Sequence, residues 1–222
     1  MKFCNLKKGV LFILLVLSFS AGKAQAIRGF GNVTAYSVSN DFKKGAIVDI
    51  GGGAEFEFHP LFKPEVSLSY SLMGLNDQEF YDFDTNTLEK LSGDVYMLNF
   101  NVGPKIYFWY SGETFDSAAC WYYIVPKINM SRIVANGTYE FMDYNNSQND
   151  IIKKGHSADW QHSFGLTLGM EFQISDTDSV TLSASVNKLN LGRTLNRLPY
   201  NNIDYSTIGL GLGISYYFGI KK

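Results

Sequence analysis

The chain has 222 residues, 45% of them hydrophobic, and a formal net charge of −2 at pH 7. This slight acidity argues against nucleic acid as a partner, and no apolar run after the first 26 residues is long enough for a membrane-spanning helix. We expect no disulfide, metal site or other cofactor, because only Cys120 lies outside those 26 residues and the three histidines are widely spaced.

The first 26 residues predict a secretory signal peptide. Lys2, Lys7 and Lys8 precede an apolar segment at 10–17, and a small-x-small sequence, Ala-Gln-Ala, ends the region at 24–26. The apolar segment is too short to span a bilayer, so an N-terminal anchor helix is disfavoured. Export would leave a single domain at 27–222.

The remaining chain alternates between bulky apolar residues and small or polar ones with a period of two, which predicts β-strands. The alternation is weakest in the first segment and clear in the last, where apolar residues from Ile208 to Phe218 alternate with glycines, Ser215 and Tyr217. Eight segments can be drawn, at 28–38, 44–58, 64–73, 94–108, 119–131, 159–174, 178–190 and 205–218.

The composition of the polar face decides between a soluble and a membrane barrel. A lipocalin-like barrel would expose Lys, Glu and Arg to water, whereas here the polar face is mostly Gly, Ser and Thr. Small residues suit the narrow lumen of an eight-stranded barrel, and bulky apolar residues suit a wall that faces lipid. We therefore predict an all-β fold, a single eight-stranded antiparallel up-and-down transmembrane barrel.

The lengths of the connections predict its orientation. If the N-terminus is periplasmic, the long connections at 74–93, 132–159 and 191–202 lie outside the cell, as in outer-membrane barrels. We expect the loops at 74–93 and 132–159 to meet protein partners, and the barrel-assembly machinery to insert the chain into the outer membrane.

Aromatic residues near the strand ends predict two girdles at the bilayer surfaces. Tyr96 and Trp160 belong to the outer girdle. The predicted periplasmic girdle consists of Phe56, Phe58, Phe108, Tyr122, Phe172, Tyr216 and Phe218.

Seven charged residues are predicted to face the lumen. A charge in a narrow lumen must be paired, so the set predicts a salt-bridged plug; the alternative is an acidic cluster that binds a cation or gates conduction. An open pore is disfavoured because eight strands enclose little more than their own side chains. The residues are Asp49, Glu55, Glu57, Glu65, Lys105, Lys127 and Glu171.

Two further features concern the wall. Pro104 and Pro126 each remove a backbone donor and predict a bulge or bend. His162 and Ser163 are a candidate base and nucleophile for lipid modification, but neighbouring strand residues face opposite sides of the sheet, so we expect no enzymatic activity.

Three segments together resemble the PorT-like outer-membrane β-barrel family of Bacteroidota. They read GGGAEFEF at 51–58, KPEVSLSYS at 63–71 and NFNVGPKIYF at 99–108. The resemblance implies a barrel fold and a location in the outer membrane. For the plugged barrel we predict a structural, adhesive or accessory role. The alternatives are a type IX secretion-associated barrel, a small ligand receptor and, less favoured, a lipid-modifying enzyme.

Overall fold

A computed structural model of the protein describes residues 26–39, 44–115, 118–189, 191–195, 197–198 and 208–219. The predicted signal peptide, except for Ala26, lies outside these ranges. Each strand pairs antiparallel with the next, and β8 pairs with β1, so the sheet closes into the predicted eight-stranded barrel. The strands are β1 (Ala26–Ser39), β2 (Lys44–Glu57), β3 (Phe62–Asp82), β4 (Thr87–Ser111), β5 (Cys120–Asp143), β6 (Ile151–Gln173), β7 (Ser179–Lys188) and β8 (Ile208–Gly219).

The two faces of the barrel wall differ as the sequence alternation predicts. Bulky apolar side chains point outward: Phe164 is 71% exposed and Leu212 is 73% exposed. Inward side chains are small and polar over much of the wall, and Ser71 and Thr181 are almost completely buried. The fold therefore has an apolar outer surface and a polar lumen, the inverse of a soluble barrel.

The strands are unequal in length, which gives the molecule two parts. The strands β3 to β6 have 21 to 25 residues, whereas the other four have 10 to 14. In the described chain, β3 pairs with β2 only as far as Leu72, and β6 pairs with β7 only as far as Gly165. Beyond these residues β3 to β6 continue as a four-stranded sheet. We call the part beyond the register row of Leu72, Tyr96, Val134 and Ala158 the projecting sheet; on β3 it adds about 30 Å of strand.

The prediction that the ranges 74–93 and 132–159 are irregular loops is therefore wrong. Both ranges are mainly strand, and the turns are limited to 83–86 and 144–150. A register shift between Leu75 and Gln78 interrupts the pairing of β3 with β4. The sequence pattern could not predict these strands, because a sheet with water on both faces needs no alternation of apolar and polar residues. Its backbone hydrogen bonds form regardless of side-chain polarity.

The prolines interrupt the ladder without shifting it. The pairing of β4 with β5 skips 103–105 opposite 125–127, and the register is the same on both sides of the gap. This is the effect of the missing N–H groups of Pro104 and Pro126. The register shift lies further along, between Tyr107 and Trp109, so the predicted bulge is displaced from the prolines.

One turn of α-helix, α1 (Gly192–Leu195), lies in the connection between β7 and β8 that the sequence predicts to be a loop. In the described residues, no helix is long and apolar enough to cross a membrane. The residues of α1 contact β5 and β6.

Candidate functional site

The lumen contains a buried ionic cluster near the end of the barrel at which β1 begins and β8 ends, which we call the terminal end. Its centre is Lys105, whose side chain is fully buried. The Lys105 Nζ atom lies 2.6 Å from Glu171 Oε2, 3.2 Å from Glu55 Oε2 and 3.7 Å from Glu65 Oε1. One ammonium group thus contacts carboxyl groups from three other strands.

A second cation, Arg28 on β1, completes this cluster. Its guanidinium lies 2.6 Å from Glu55 Oε1 and 2.9 Å from Glu171 Oε1. Because Glu55 and Glu65 stand directly opposite each other on paired strands, their charges would repel without cations between them. We call Arg28, Glu55, Glu65, Lys105 and Glu171 the charged seal; it consists of two basic side chains and three carboxyl groups.

Tyrosines surround the charged seal and satisfy its remaining acceptors. The Tyr107 hydroxyl donates to Glu171 Oε2 at 2.5 Å, and the Tyr217 hydroxyl donates to Glu65 Oε1 at 2.7 Å. Lys105 Nζ also lies 3.9 Å from the centroid of the Tyr217 ring and 4.5 Å from that of Tyr123. Burying these charges is tolerable because each has an opposite charge or a hydrogen-bond donor in contact with it.

Next to the charged seal, further inside the lumen, lies a cavity of about 60 Å³. It is lined mainly by hydroxyl, amide and charged side chains, together with a few apolar ones such as Val125 and Met97. Such a volume holds about four to six water molecules, at ~10–15 Å³ for each. Asp49 lines it and accepts hydrogen bonds from Ser71 Oγ at 2.5 Å and Asn99 Nδ2 at 3.2 Å. Lys127 also lines it and, among the described residues, makes no direct ion pair.

At the other end, which we call the distal end, the lumen is closed by apolar side chains. Leu191 and Leu195 are fully buried and Leu198 is 4% exposed, because the connection after β7 folds back into the barrel mouth. Arg193 Nε lies 2.9 Å from Asp159 Oδ2 at the surface above them. We call the whole cluster the apolar seal: Leu191, Leu195, Leu198, Ile47, Met73, Val95, Met97, Ile133 and Ala135.

The predicted lumen charges divide into three groups. Glu55, Glu65, Lys105 and Glu171 come together in the charged seal, while Asp49 and Lys127 line the cavity beside it. Glu57 belongs to neither group. Its Oε1 lies 3.4 Å from Lys63 Nζ, and its side chain is 32% exposed, because β2 ends at this residue and the lumen opens there.

Sequence reasoning missed Arg28 and the apolar seal. Arg28 lies in the segment with the weakest alternation, yet it shares its parity with Phe30 and Thr34, which are buried. The apolar seal contradicts the expectation of a small and polar lumen along its whole length. A signal for it exists in the spacing of Leu191, Leu195 and Leu198, which fits one apolar face of a short helix.

The predicted girdle residues lie near the ends of the outer surface. Around Tyr96 and Trp160, the wall changes from apolar to polar, since Asn136 and His156 follow on the distal side and contact each other at 2.8 Å. Near the terminal end the outward side chains are aromatic or bulky. They are the predicted Phe56, Phe58, Phe108, Tyr122, Phe172, Tyr216 and Phe218, together with Phe62, Trp109 and Ile174, which the sequence analysis did not include.

Comparisons with known proteins show a similarity in fold only. No protein-family model matches the chain, and no curated protein matches it in sequence. Among solved structures, Neisserial surface protein A is 7% identical with a TM-score of 0.51, covering 88% of this chain and 97% of its own. The outer membrane protein OprG from Pseudomonas aeruginosa is 10% identical with a TM-score of 0.50, covering 90% and 98%. Ail, the attachment invasion locus protein of Yersinia pestis, is 10% identical with a TM-score of 0.45, covering 88% and 99%.

Proposed function

We propose that this protein is a non-conducting, non-catalytic barrel of the outer membrane that carries the projecting sheet outside the cell. Its role would be structural, adhesive or accessory to a larger outer-membrane complex. The observation that carries the proposal is the belt of exposed apolar side chains around a closed barrel, because soluble monomeric proteins rarely expose large contiguous apolar surfaces to water.

The height of the belt fits a bilayer. From Ile208 to Phe218, the outward side chains of β8 cover ~34 Å along the strand, which a tilt of about 40° reduces to ~26 Å. The apolar band of known outer-membrane barrels is about 25 Å tall. The predicted girdles mark its two edges in this proposal.

The predicted signal peptide and the unequal strands support the orientation. Outer-membrane barrels have short turns at the periplasmic end and long elements outside. Here the terminal end has short turns, such as 58–61 and 174–178, and the projecting sheet leaves the distal end. We infer that the terminal end is periplasmic. The resemblance to PorT-like barrels of Bacteroidota agrees with this location.

The two seals support a role without transport. A solute entering from either end meets the charged seal or the apolar seal, and the cavity between them has room for only a few water molecules. The outward His162 and the buried Ser163 lie on opposite faces of β6, which argues against a hydrolytic site in the wall. A partner or ligand would therefore bind to the projecting sheet.

A first test compares one substitution at two depths on the same face of β6. Leu168→Arg, at mid-wall, should reduce folding stability by about 2–4 kcal/mol in lipid vesicles, whereas His162→Arg, near the distal edge of the belt, should cost at most about 1 kcal/mol. Urea titration measures both. Equal effects, or two harmless substitutions, would contradict a lipid-facing wall.

Folded parent protein in detergent should also change its mobility on a gel after boiling, because closed barrels resist detergent unfolding. Recovery from cells in the soluble fraction, with mobility unchanged by boiling, would refute the membrane location.

A further inference from the structure

The outermost part of the projecting sheet, residues 80–86 and 143–150, forms what we call the distal tip. It exposes four large aromatic side chains: Phe83 is 86% exposed, Phe80 68%, Tyr144 58% and Tyr81 38%. Aromatic rings exposed to this degree are uncommon away from binding surfaces, where they contribute much of the binding energy. No described residue of another element covers them.

Hydrogen bonds between its two turns hold the distal tip in one arrangement. Asn86 Nδ2 donates to Asn145 Oδ1 at 3.0 Å, and the Tyr144 backbone N–H donates to the Asn86 carbonyl at 3.1 Å. Asn145 Nδ2 donates to the Thr85 carbonyl at 3.0 Å, and the Tyr81 hydroxyl donates to Asn86 Oδ1. A surface held in this way loses little conformational entropy on binding.

Three of these rings, those of Tyr81, Phe83 and Tyr144, form a cluster that remains exposed. The centroids of Tyr81 and Phe83 are 4.8 Å apart with their planes nearly perpendicular, and those of Tyr81 and Tyr144 are 6.0 Å apart. The face of an aromatic ring carries partial negative charge and attracts cations. The cluster is therefore suited to a cationic group.

The charges of the distal tip also favour a cationic group. It holds four carboxylates and no lysine, arginine or histidine. Hydrogen bonds from the Thr85 side chain and the Asp84 backbone lower the pKa of Asp82, and bonds from the Asn149 side chain and the Asn145 backbone lower the pKa of Asp143. Both groups therefore stay ionised in mildly acidic surroundings. Two more carboxylates, Asp84 and Asp150, are exposed.

We propose that the distal tip binds a basic segment of a partner protein, with arginine or lysine side chains over the exposed rings and ion-paired to the carboxylates. This inference rests on the proposed function, which puts the distal tip outside the cell. A second copy of the tip is a poor partner because four carboxylates would face four others. Polyanions are excluded for the same reason.

The test uses the full mature protein in nanodiscs of phosphatidylcholine, which has no net charge. Biolayer interferometry measures the binding of a synthetic peptide of alternating arginine and glycine, and of the matched lysine and glutamate peptides. The arginine peptide should bind most tightly, because guanidinium stacks on rings better than ammonium, and the glutamate peptide should not bind. The double variant Phe83→Ser, Tyr144→Ser should weaken arginine-peptide binding about tenfold.

Charge variants distinguish binding at the distal tip from general attraction to an acidic protein. Asp84→Asn with Asp150→Asn should weaken binding and reduce its salt dependence, whereas Glu113→Gln, in an exposed turn at the terminal end, should change neither. Equal effects at both ends would overturn the proposal. Preferred binding to a neutral glycan array, lost in the aromatic double variant, would replace the basic segment with a carbohydrate.

Each variant is first checked for the gel shift on boiling. If folded variants of the distal tip bind the arginine peptide as tightly as the parent protein, this inference fails, while the proposed barrel in the membrane is unaffected. If the parent protein shows no gel shift and is soluble, the proposed function itself fails.

Discussion

The two ends of the lumen are closed by different chemistry. The charged seal is built from strand side chains of β1, β2, β3, β4 and β6, and it is ion-paired throughout. The apolar seal depends on three leucines that a connection brings back into the barrel mouth. A seal made by the wall is part of the global fold, whereas a seal made by a connection can come loose while the wall stays closed. The comparison therefore predicts unequal costs for breaking each one.

The largest effect is expected from Lys105→Met. The change leaves three buried carboxylates with only Arg28 to neutralise them, and the loss of one partner from a buried ionic group typically costs ~3–5 kcal/mol. Urea unfolding in lipid vesicles measures the loss. Lys127→Met is the matched control, and it should cost much less because Lys127 makes no direct ion pair among the described residues.

A compensating change identifies the partner of Lys105. Adding Glu171→Gln to Lys105→Met removes the carboxylate that lies closest to the ammonium, and part of the lost stability should return. Equal losses for Lys105→Met and Lys127→Met, with no recovery in the double variant, would show that the cluster is not a stabilising seal.

A smaller effect is expected from Leu195→Ala in the apolar seal. Truncating a fully buried leucine costs about 2–5 kcal/mol, and the low end applies because the connection can detach instead of leaving a cavity in the wall. Limited proteolysis should show faster cleavage within 189–207, while the urea midpoint of the barrel changes little. A drop in that midpoint as large as the one for Lys105→Met would make the apolar seal part of the global fold.

Planar-bilayer recordings extend this prediction to conduction. Both the parent and Leu195→Ala should stay closed, because the charged seal remains across the lumen. Large and steady conductance from either protein would turn the closed lumen into a pore.

The smallest effect is expected from Asp159→Asn. This change removes the ion pairs of Asp159 with Arg193 and Arg197, whose side chains are 65% and 52% exposed. Exposed ion pairs contribute at most about 1 kcal/mol and are screened by salt. Cleavage within 189–207 should therefore rise slightly at low salt and match the parent at high salt. A difference that persists at high salt would assign Asp159 a role other than ion pairing.

The sequence by itself determined the barrel, which residues face the lumen and which face outward, and most members of the charged seal. The alternation of apolar and small residues is a local property, so eight strands and the inward parity of Glu55, Glu65, Lys105 and Glu171 could be predicted without knowing any long-range contact. The ends of the strands were predicted well wherever one face of the strand is apolar. The prediction failed for β3 to β6 beyond the belt, where water on both faces removes the alternation.

Only the tertiary structure decided which of these groups meet. Strand register brings Arg28 to Glu55 and Glu171, and it leaves Glu57 with Lys63 outside the charged seal. Closure of the barrel also creates the mouth into which Leu191, Leu195 and Leu198 fold. The pairing of β4 with β5 as far as Thr87 and Asp143 places the two turns of the distal tip side by side. The physical reason is that periodicity reports the face on which a residue lies, whereas a contact depends on the depth and register of strands far apart in the chain.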